Sequence, residues 1–173
     1  MSFLSRLGSI RAVVAVLSAV TGLQMAFIAF TNITDFATNQ AFVIHVLAMD
    51  TTFKSPHTMW RAITSTGLAD AAYIAIIVWE AISAVVLIAA FVGWLRGRTP
   101  GARQLSIIGW LMWVLLFGCG FIVIGGEWFE MWESHTWNGL QPALQNLIIA
   151  SAGLILTALV DRTPASGETV TAS

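Results

Sequence analysis

Charged residues are scarce in this chain of 173 residues: Asp, Glu, Lys and Arg make up 10% of it, whereas apolar residues make up 57%. A typical soluble domain is about 25% charged. A small domain has a large surface for its volume, and in water that surface needs polar groups, whereas in lipid it does not. The composition therefore excludes an ordinary soluble domain. The formal net charge of −1 gives no reason to expect nucleic acid as a partner.

Cysteine and histidine are scarce as well, and their positions exclude several classes of protein. Cys119 is the single cysteine, so the chain has no internal disulfide and cannot be a thiol oxidoreductase of the kind that uses paired cysteines. No histidine lies in an apolar segment, so axial ligands for a b-type haem are missing there. The sequence also lacks HExxH, Gly-x-Ser-x-Gly and a phosphate-binding loop. We therefore expect no cofactor, and nothing in the sequence supports an enzymatic activity.

Long apolar segments without Lys or Arg are the main feature that is present. They cover about residues 12–30, 73–95, 105–126 and 143–160. Each approaches or exceeds the roughly 20 residues that a helix needs to cross the hydrocarbon of a bilayer. Backbone groups in lipid must be satisfied internally, and continuous apolar runs do not show the alternation of a membrane barrel. The sequence predicts an all-α fold, a four-helix transmembrane bundle that forms one domain over residues 1–161.

Basic residues are distributed unevenly between the ends of the predicted spans. The second loop and the regions before the first span and after the fourth contain six of the eight: Arg6, Arg11, Arg96, Arg98, Arg103 and Arg162. The first loop has only Lys54 and Arg61, and the third loop has none. Because loops rich in Lys and Arg stay in the cytoplasm, we expect both termini to be cytoplasmic. The first span is read as uncleaved, and the polar tail over residues 162–173 is expected to be disordered.

The first loop, residues 31–72, is too long for a bare connection. Asp35 is placed to cap a helix that runs to about Met49. The pair Ser55-Pro56 is typical of the start of a second helix, which would end near Ile63. These signals predict an extracytoplasmic helical hairpin between the first and second spans.

Glu80 is the most informative single residue, because an ionisable side chain inside a span costs roughly 2.5–3.5 kcal/mol at the centre of the bilayer. Counted from the predicted helix ends, Gln24, Cys119 and Asn146 lie at a similar depth. The four side chains thus predict an intramembrane polar layer. In a structural interpretation, Glu80 is protonated or hydrogen-bonded to Gln24 and Asn146, and the layer fixes the helix register. In a functional one, Glu80 is a protonatable carboxyl of a small proton-coupled transporter, or it binds a lipid or a quinone headgroup.

The third loop, residues 127–139, combines tryptophan with acidic residues. One interpretation is an aromatic belt at the membrane interface, with the acidic side chains in water. The other is a surface for docking a partner, in which Glu127, Trp128, Glu130, Trp132 and Trp137 take part. A metal site is a weaker alternative without a supporting ligand spacing. Its candidate ligands are Glu130, His45, His57 and His135.

The two outer loops contain distinctive motifs. The first motif comprises Asn32-Ile33-Thr34-Asp35, Phe42-Val43-x-His45-Val46-Leu47-x-Met49-Asp50-Thr51-Thr52-Phe53 and Trp60-Arg61-Ala62-Ile63. The second comprises Ile124-Gly125-Gly126-Glu127-Trp128-Phe129-x-Met131-Trp132 and Thr136-Trp137-Asn138-Gly139. Both motifs resemble a bacterial family of predicted small integral membrane proteins whose function is unknown. The resemblance covers about residues 8–161. It implies the four-span architecture in a bacterial inner membrane, and it brings no catalytic residue. It also implies that the family is most characteristic at the outer face, which carries Asp50, Arg61, Glu127, Trp128 and Trp137.

These observations lead to a preferred hypothesis and an alternative. The preferred one is a non-enzymatic accessory or interaction subunit of a membrane complex, with the outer face as its contact surface. The alternative is a small transporter or ligand-binding protein that uses Glu80. Besides the lipid bilayer, other membrane proteins or a second copy of the chain are the expected partners. Small residues at four-residue spacing, such as Ser18, Gly22 and Ala26, favour packing of the bundle on itself, with dimerisation as the alternative.

Overall fold

The computed structural model describes residues 8–160 and is all-helical, without a strand in that range. Its α-helices are α1 (Ile10–Thr34), α2 (Phe36–Ala48), α3 (Thr66–Leu95), α4 (Thr99–Trp113) and α5 (Leu140–Leu159). Helix α4 continues directly into a π-helical segment, Val114–Trp128, and two 3-10 turns cover Met59–Arg61 and Met131–Glu133. Four helices of the described chain are long and apolar enough to cross a membrane: α1, α3, α4 with its π-helical continuation, and α5. The predicted all-α architecture with four apolar helices is therefore confirmed.

Local capping explains where the helices begin. Ser9 and Ser65 precede α1 and α3, and their hydroxyl groups accept hydrogen bonds from backbone N–H groups in the first turn. Pro100 lies in the first turn of α4, where the missing N–H costs nothing. The side-chain oxygen of Asn138 accepts from the backbone N–H of Leu140 at the start of α5. These caps extend α1, α3 and α4 beyond the apolar segments that were visible in the sequence.

The outward surface of the bundle is apolar, as α1 shows most clearly. Val13, Val16, Val20, Leu23 and Phe27 are all exposed and recur at intervals of three or four residues, so they form one stripe along the helix. In water such a stripe would be unfavourable, whereas in hydrocarbon it is in contact with lipid. The burial pattern thus agrees with four helices that are embedded in a bilayer.

Glycine permits the closest contacts inside the bundle. Trp110 is completely buried, and a Cβ atom at Gly153 would lie 2.4 Å from its ring. In the same way, Gly109 in α4 faces Leu87, whose side chain would lie 2.5 Å from an added Cβ atom. Gly22 of α1 packs against Leu87 from the other side. Glycines of three helices therefore bring backbones together within this bundle, as small residues commonly do in membranes.

The two ends of the bundle differ in composition. The turn between α3 and α4 has an arginine at each end, Arg96 and Arg98. At the opposite end, residues 35–65 and 129–139 form a common layer that we call the cap. Thr51 donates to the Ser134 hydroxyl group at 2.8 Å, and the backbone N–H of Phe53 donates to the Glu133 carboxylate at 2.7 Å. These bonds join the first and third loops.

The cap differs from the predicted hairpin in its second arm. The first arm, α2, is helical, but the segment expected to form a helix from Ser55 to Ile63 contains only the 3-10 turn Met59–Arg61. The backbone N–H of Ile63 instead donates to the carbonyl of Leu47 at 2.8 Å, which ties the end of this arm to the end of α2. The prediction of a second helix was wrong, because this tertiary bond and the contacts of Arg61 described below replace the helical turns.

Candidate functional site: a cleft around Glu80

All four apolar helices and α2 border one cleft, which has a volume of about 240 Å³. Most of its lining is apolar or aromatic, and its polar side chains come from Glu80, two asparagines and a tyrosine. The lining residues are Ile28, Asn32, Asn39, Phe42, Val43, Tyr73, Ile76, Glu80, Phe117, Phe121, Gly139, Pro142 and Ala143. Apolar walls with a few converging polar groups are the usual character of small-molecule sites.

Glu80 lies near the middle of α3 and is only 4% exposed. The side-chain nitrogen Nδ2 of Asn32 donates a hydrogen bond of 2.8 Å to its Oε2 atom. Its other oxygen, Oε1, has no hydrogen-bonding partner among residues 8–160. Since Glu80 borders the cleft, Oε1 is the oxygen available to a bound molecule. The arrangement therefore combines one carboxyl oxygen held by the protein with one that is free.

A short chain of hydrogen bonds connects this carboxyl group with the cap. Asn39 of α2 donates from Nδ2 to Oδ1 of Asn32 at 2.7 Å, and Asn32 donates onward to Glu80. The Tyr73 hydroxyl group lies 3.4 Å from the backbone carbonyl of Asn32, to which it donates. Because α2 supplies Asn39, the position of the cap helix is coupled to the environment of Glu80.

The predicted intramembrane layer divides into separate parts. Gln24 donates from Nε2 to Oδ1 of Asn146 at 3.5 Å, so these two side chains meet, but Glu80 does not join them. Cys119 is exposed on the surface of the bundle. The expected bonds from Glu80 to Gln24 and Asn146 are therefore wrong. Asn32, which takes their place, lies eight residues beyond Gln24, or about 12 Å further along α1. The depth count failed because it assumed that the helix ends lie at one level, whereas Glu80, 14 residues inside α3, meets Asn32, two residues from the end of α1.

Sequence reasoning overlooked Asn32, Asn39 and Tyr73. Asn32 and Asn39 belong to the predicted loop, where a polar residue attracts no attention. The seven-residue spacing of the two asparagines does not by itself indicate a contact. It would indicate one only if the meeting of α1 and α2 at Asp35 were already known. Tyr73 is the single tyrosine in the chain, but at the predicted end of a span it reads as an interfacial residue.

Arg61 holds the two parts of the cap together. Its guanidinium carbon lies 4.9 Å from the ring centre of Trp128 and 5.7 Å from that of Trp60. One of its nitrogens lies 3.8 Å from a carboxylate oxygen of Glu130. We call Trp60, Arg61, Trp128 and Glu130 the clasp. Three of the residues predicted for the outer-face surface, Arg61, Trp128 and Glu130, thus contact one another in the fold.

Asp50 and Trp137, also predicted for that surface, meet at His45. The ring of His45 stacks on Trp137 with 4.7 Å between the ring centres, and its Nδ1 atom lies 2.7 Å from a carboxylate oxygen of Asp50. Trp132 is 50% exposed but meets the ring of Phe53 edge-on, with 5.9 Å between the ring centres, whereas Glu127 is exposed on the surface. Most of the characteristic residues of the two loops therefore have contacts inside the cap.

The geometry limits the chemistry that is available here. Within residues 8–160, no three side chains of His, Cys, Asp or Glu come close enough together to hold a metal ion. In the cleft, Glu80 can hold a proton, a cation or a hydrogen-bonding group, while the aromatic walls can hold an apolar body. A second hollow adjoins the cleft on the side of α1, and the two share Ile28, Asn32 and Asn39.

Comparison with known proteins identifies the family but no relative of known activity. No curated protein and no solved structure gives a significant match to the chain. The family model described as "predicted small integral membrane protein (DUF2165)" matches residues 10–160, which include all four apolar helices, the cap and the cleft. The chain therefore belongs to this family of small integral membrane proteins.

Proposed function

We propose that this protein is a non-enzymatic membrane protein whose cleft binds a small molecule from the bilayer, with the polar end of that molecule against Glu80. The free Oε1 atom of a carboxyl group that is only 4% exposed carries the proposal. Among the described residues, the fully buried side-chain atoms without a partner do not include Oε1, so this oxygen is open to the cleft although the residue as a whole is buried. Here one oxygen borders an apolar cleft, where a ligand can satisfy it.

The shape of the cleft supports a ligand with a polar end and an apolar body. Its polar groups cluster around Glu80 and Asn32, while Phe42, Phe117 and Phe121 line other parts of the wall. Apolar residues with a few convergent polar groups position such a molecule by its polar end. The retention of an ionisable residue inside a membrane span also agrees with a role in binding or transport.

The orientation of the chain belongs to the same proposal. In the described part, Arg11, Arg96, Arg98 and Arg103 lie near the end of the bundle opposite the cap. The positive-inside rule then places that end, with both termini, in the cytoplasm. The cap and the cleft beneath it lie toward the outer side of a bacterial inner membrane.

Extraction of the full chain in a mild detergent tests this function. The wild type and two variants, Glu80→Gln and Glu127→Gln, are purified in parallel, and small molecules that remain bound are identified by native mass spectrometry. We expect a molecule that is present in the wild type and in Glu127→Gln but depleted in Glu80→Gln. Glu127→Gln is the matched control, because it makes the same chemical change at an exposed carboxylate. The same molecules in all three proteins, or none in any of them, would contradict the proposal.

A role as accessory subunit of a membrane complex is the second candidate. It is supported by aromatic residues that the cap leaves exposed: Phe53 by 69%, Trp60 by 71% and Trp132 by 50%. Exposed tryptophans are frequent in protein interfaces as well as at membrane surfaces. Trp132→Ala is the suitable variant, since Trp137 stacks inside the cap and its removal would disturb the fold. Loss of a copurifying protein from Trp132→Ala, with normal insertion, supports this role, and unchanged copurification argues against it.

A further inference from the structure

The carboxyl group of Glu80 lacks a positively charged neighbour. None of the described residues that line the cleft is Lys, Arg or His, and the only other titratable group among them is Tyr73. The closest arginine of the cap, Arg61, is held in the clasp by aromatic rings and Glu130. A carboxylate in a medium of low polarity is strongly unfavourable unless a cation or a proton neutralises it. The charge that the protein does not provide can come from the ligand.

The hydrogen bond that the protein makes to Glu80 is of a kind that a carboxylate accepts. The amide groups of Asn39 and Asn32 are aligned so that each donates toward Glu80, and Oε2 accepts the last bond of this chain. Aligned donors strengthen one another and stabilise negative charge on the acceptor. A cation at Oε1 would complete this arrangement, whereas a neutral ligand would require Glu80 to carry a proton.

The walls of the cleft suit a cation that has an apolar body. Four aromatic rings line it, those of Phe42, Tyr73, Phe117 and Phe121. Aromatic faces attract cations, most strongly those of weakly hydrated ammonium groups in sites shielded from water. A small inorganic ion would instead require several oxygen ligands, and it would leave the apolar walls unused.

A route from the bilayer leads to the same place. The hollow beside the cleft is lined by Gln24, Phe27 and Thr31 in addition to the shared residues. Phe27 is 68% exposed and belongs to the lipid-facing stripe of α1. Asn32 and Asn39 line both hollows, so the wall that separates the lipid-facing hollow from the cleft consists partly of their side chains.

From these contacts we infer that the ligand of the cleft is a compact organic cation with an apolar body, which reaches Glu80 from the bilayer between α1 and α2. This inference rests on the proposed function and specifies its ligand class. Neutral molecules with a carbonyl head, such as quinones, are the class that it excludes.

A pair of probes with equal shape but different charge tests the inference on the full-length protein. Benzyltrimethylammonium carries the positive charge, and neopentylbenzene is its neutral isostere. Binding is followed by NMR in detergent with ¹³C-methyl-labelled isoleucine. Ile28 and Ile76 line the cleft and report binding there, while the exposed Ile108 of α4 reports unspecific partitioning. A short-chain quinone is titrated as the representative neutral ligand with a carbonyl head.

We expect the wild type to bind the cation on the order of tenfold more tightly than the isostere, with shifts at Ile28 and Ile76 but not at Ile108. In Glu80→Gln the cation should lose on the order of tenfold in affinity, while Glu127→Gln binds it normally. Equal affinity for both probes, or tighter binding of the quinone, overturns the inference and leaves the proposed function intact. If the wild type binds none of the probes, the inference about an organic cation is also overturned. The proposed function is then tested independently by the molecules that native mass spectrometry identifies after mild extraction. The comparison of probes on the wild type does not depend on the folding of a variant.

Discussion

Asn32 and Glu80 are 48 residues apart in the chain, yet they form a buried hydrogen bond of 2.8 Å between the end of α1 and the middle of α3. The bond determines which oxygen of the carboxyl group is held and which one faces the cleft. It also joins the membrane-embedded helices to α2 through Asn39. The stability of the bundle and the binding properties of the cleft therefore depend on the same pair.

The first prediction concerns the energy of this pair. Asn32→Leu leaves Glu80 without its hydrogen-bond donor, so we expect the free energy of unfolding to fall by about 1–3 kcal/mol. In a Glu80→Leu background the same substitution should cost clearly less, because no carboxyl group remains to be satisfied. Reversible unfolding in mixed detergent micelles measures both effects. Gln24→Leu is the control, since it removes only the long 3.5 Å contact with Asn146 and should cost less than Asn32→Leu. Equal costs of Asn32→Leu in the two backgrounds would show that the pair is not coupled.

The second prediction concerns the contact between α4 and α5. A methyl group at Gly153 would overlap the ring of the fully buried Trp110, so Gly153→Ala should destabilise the bundle by about 1–3 kcal/mol. Gly67→Ala is the matched control, because no atom lies within 4 Å of an added Cβ there. It should not destabilise α3, since alanine has the higher helix propensity, and the gain should stay below the roughly 1 kcal/mol of a helix interior because Gly67 lies in the first turn. Thermal unfolding of the purified variants tests both. If the Gly153→Ala protein is as stable as the wild type, α4 and α5 can move apart to make room for the methyl group without a loss of stability.

The third prediction concerns the clasp. Arg61→Met keeps an apolar side chain beside the two tryptophan rings but removes the charge and the contact with Glu130. Hydrogen exchange of the backbone over residues 50–63 should therefore become faster, while exchange in the four apolar helices stays slow. Lys54→Met is the control, because the exposed side chain of Lys54 makes none of these contacts. If exchange in the cap is unchanged in Arg61→Met, other contacts are sufficient to hold the two loops together.

The fourth prediction concerns orientation. In a Cys119→Ser background, His57→Cys should react with a membrane-impermeant thiol reagent that is added to intact cells, because His57 is exposed in the cap. Gly97→Cys, in the turn between α3 and α4, should react only after the membrane is opened. Gly97 has a φ of 69°, so a second position, Thr99→Cys at the start of α4, guards against a folding defect. The reverse labelling pattern would place the arginine-rich end outside and the cap in the cytoplasm.

Much of the architecture could be predicted because it follows from composition along the chain. Apolar segments without Lys or Arg identified the four long helices, and the caps at Ser9 and Ser65 only extended their ends. The predicted polar layer was a weaker inference, because the depth of each side chain was counted from predicted helix ends, and the helices in the structure end at other residues. The ends of α1 and α3 are not level in the structure, so Glu80, 14 residues inside α3, meets Asn32 near the end of α1 and not Gln24.

The amino-acid sequence by itself determined that this protein is embedded in a membrane, how many helices cross it and that an ionisable residue lies within one of them. These properties depend on the free energy of transferring each residue between water and hydrocarbon, which is local and additive along a segment. Only the tertiary structure decided that Asn32 and Asn39 hold Glu80, that Arg61 links two loops, and that one carboxyl oxygen borders a cleft. Those relationships depend on how helices rotate and pack against one another, and spacing along the chain does not specify this across loops of such length.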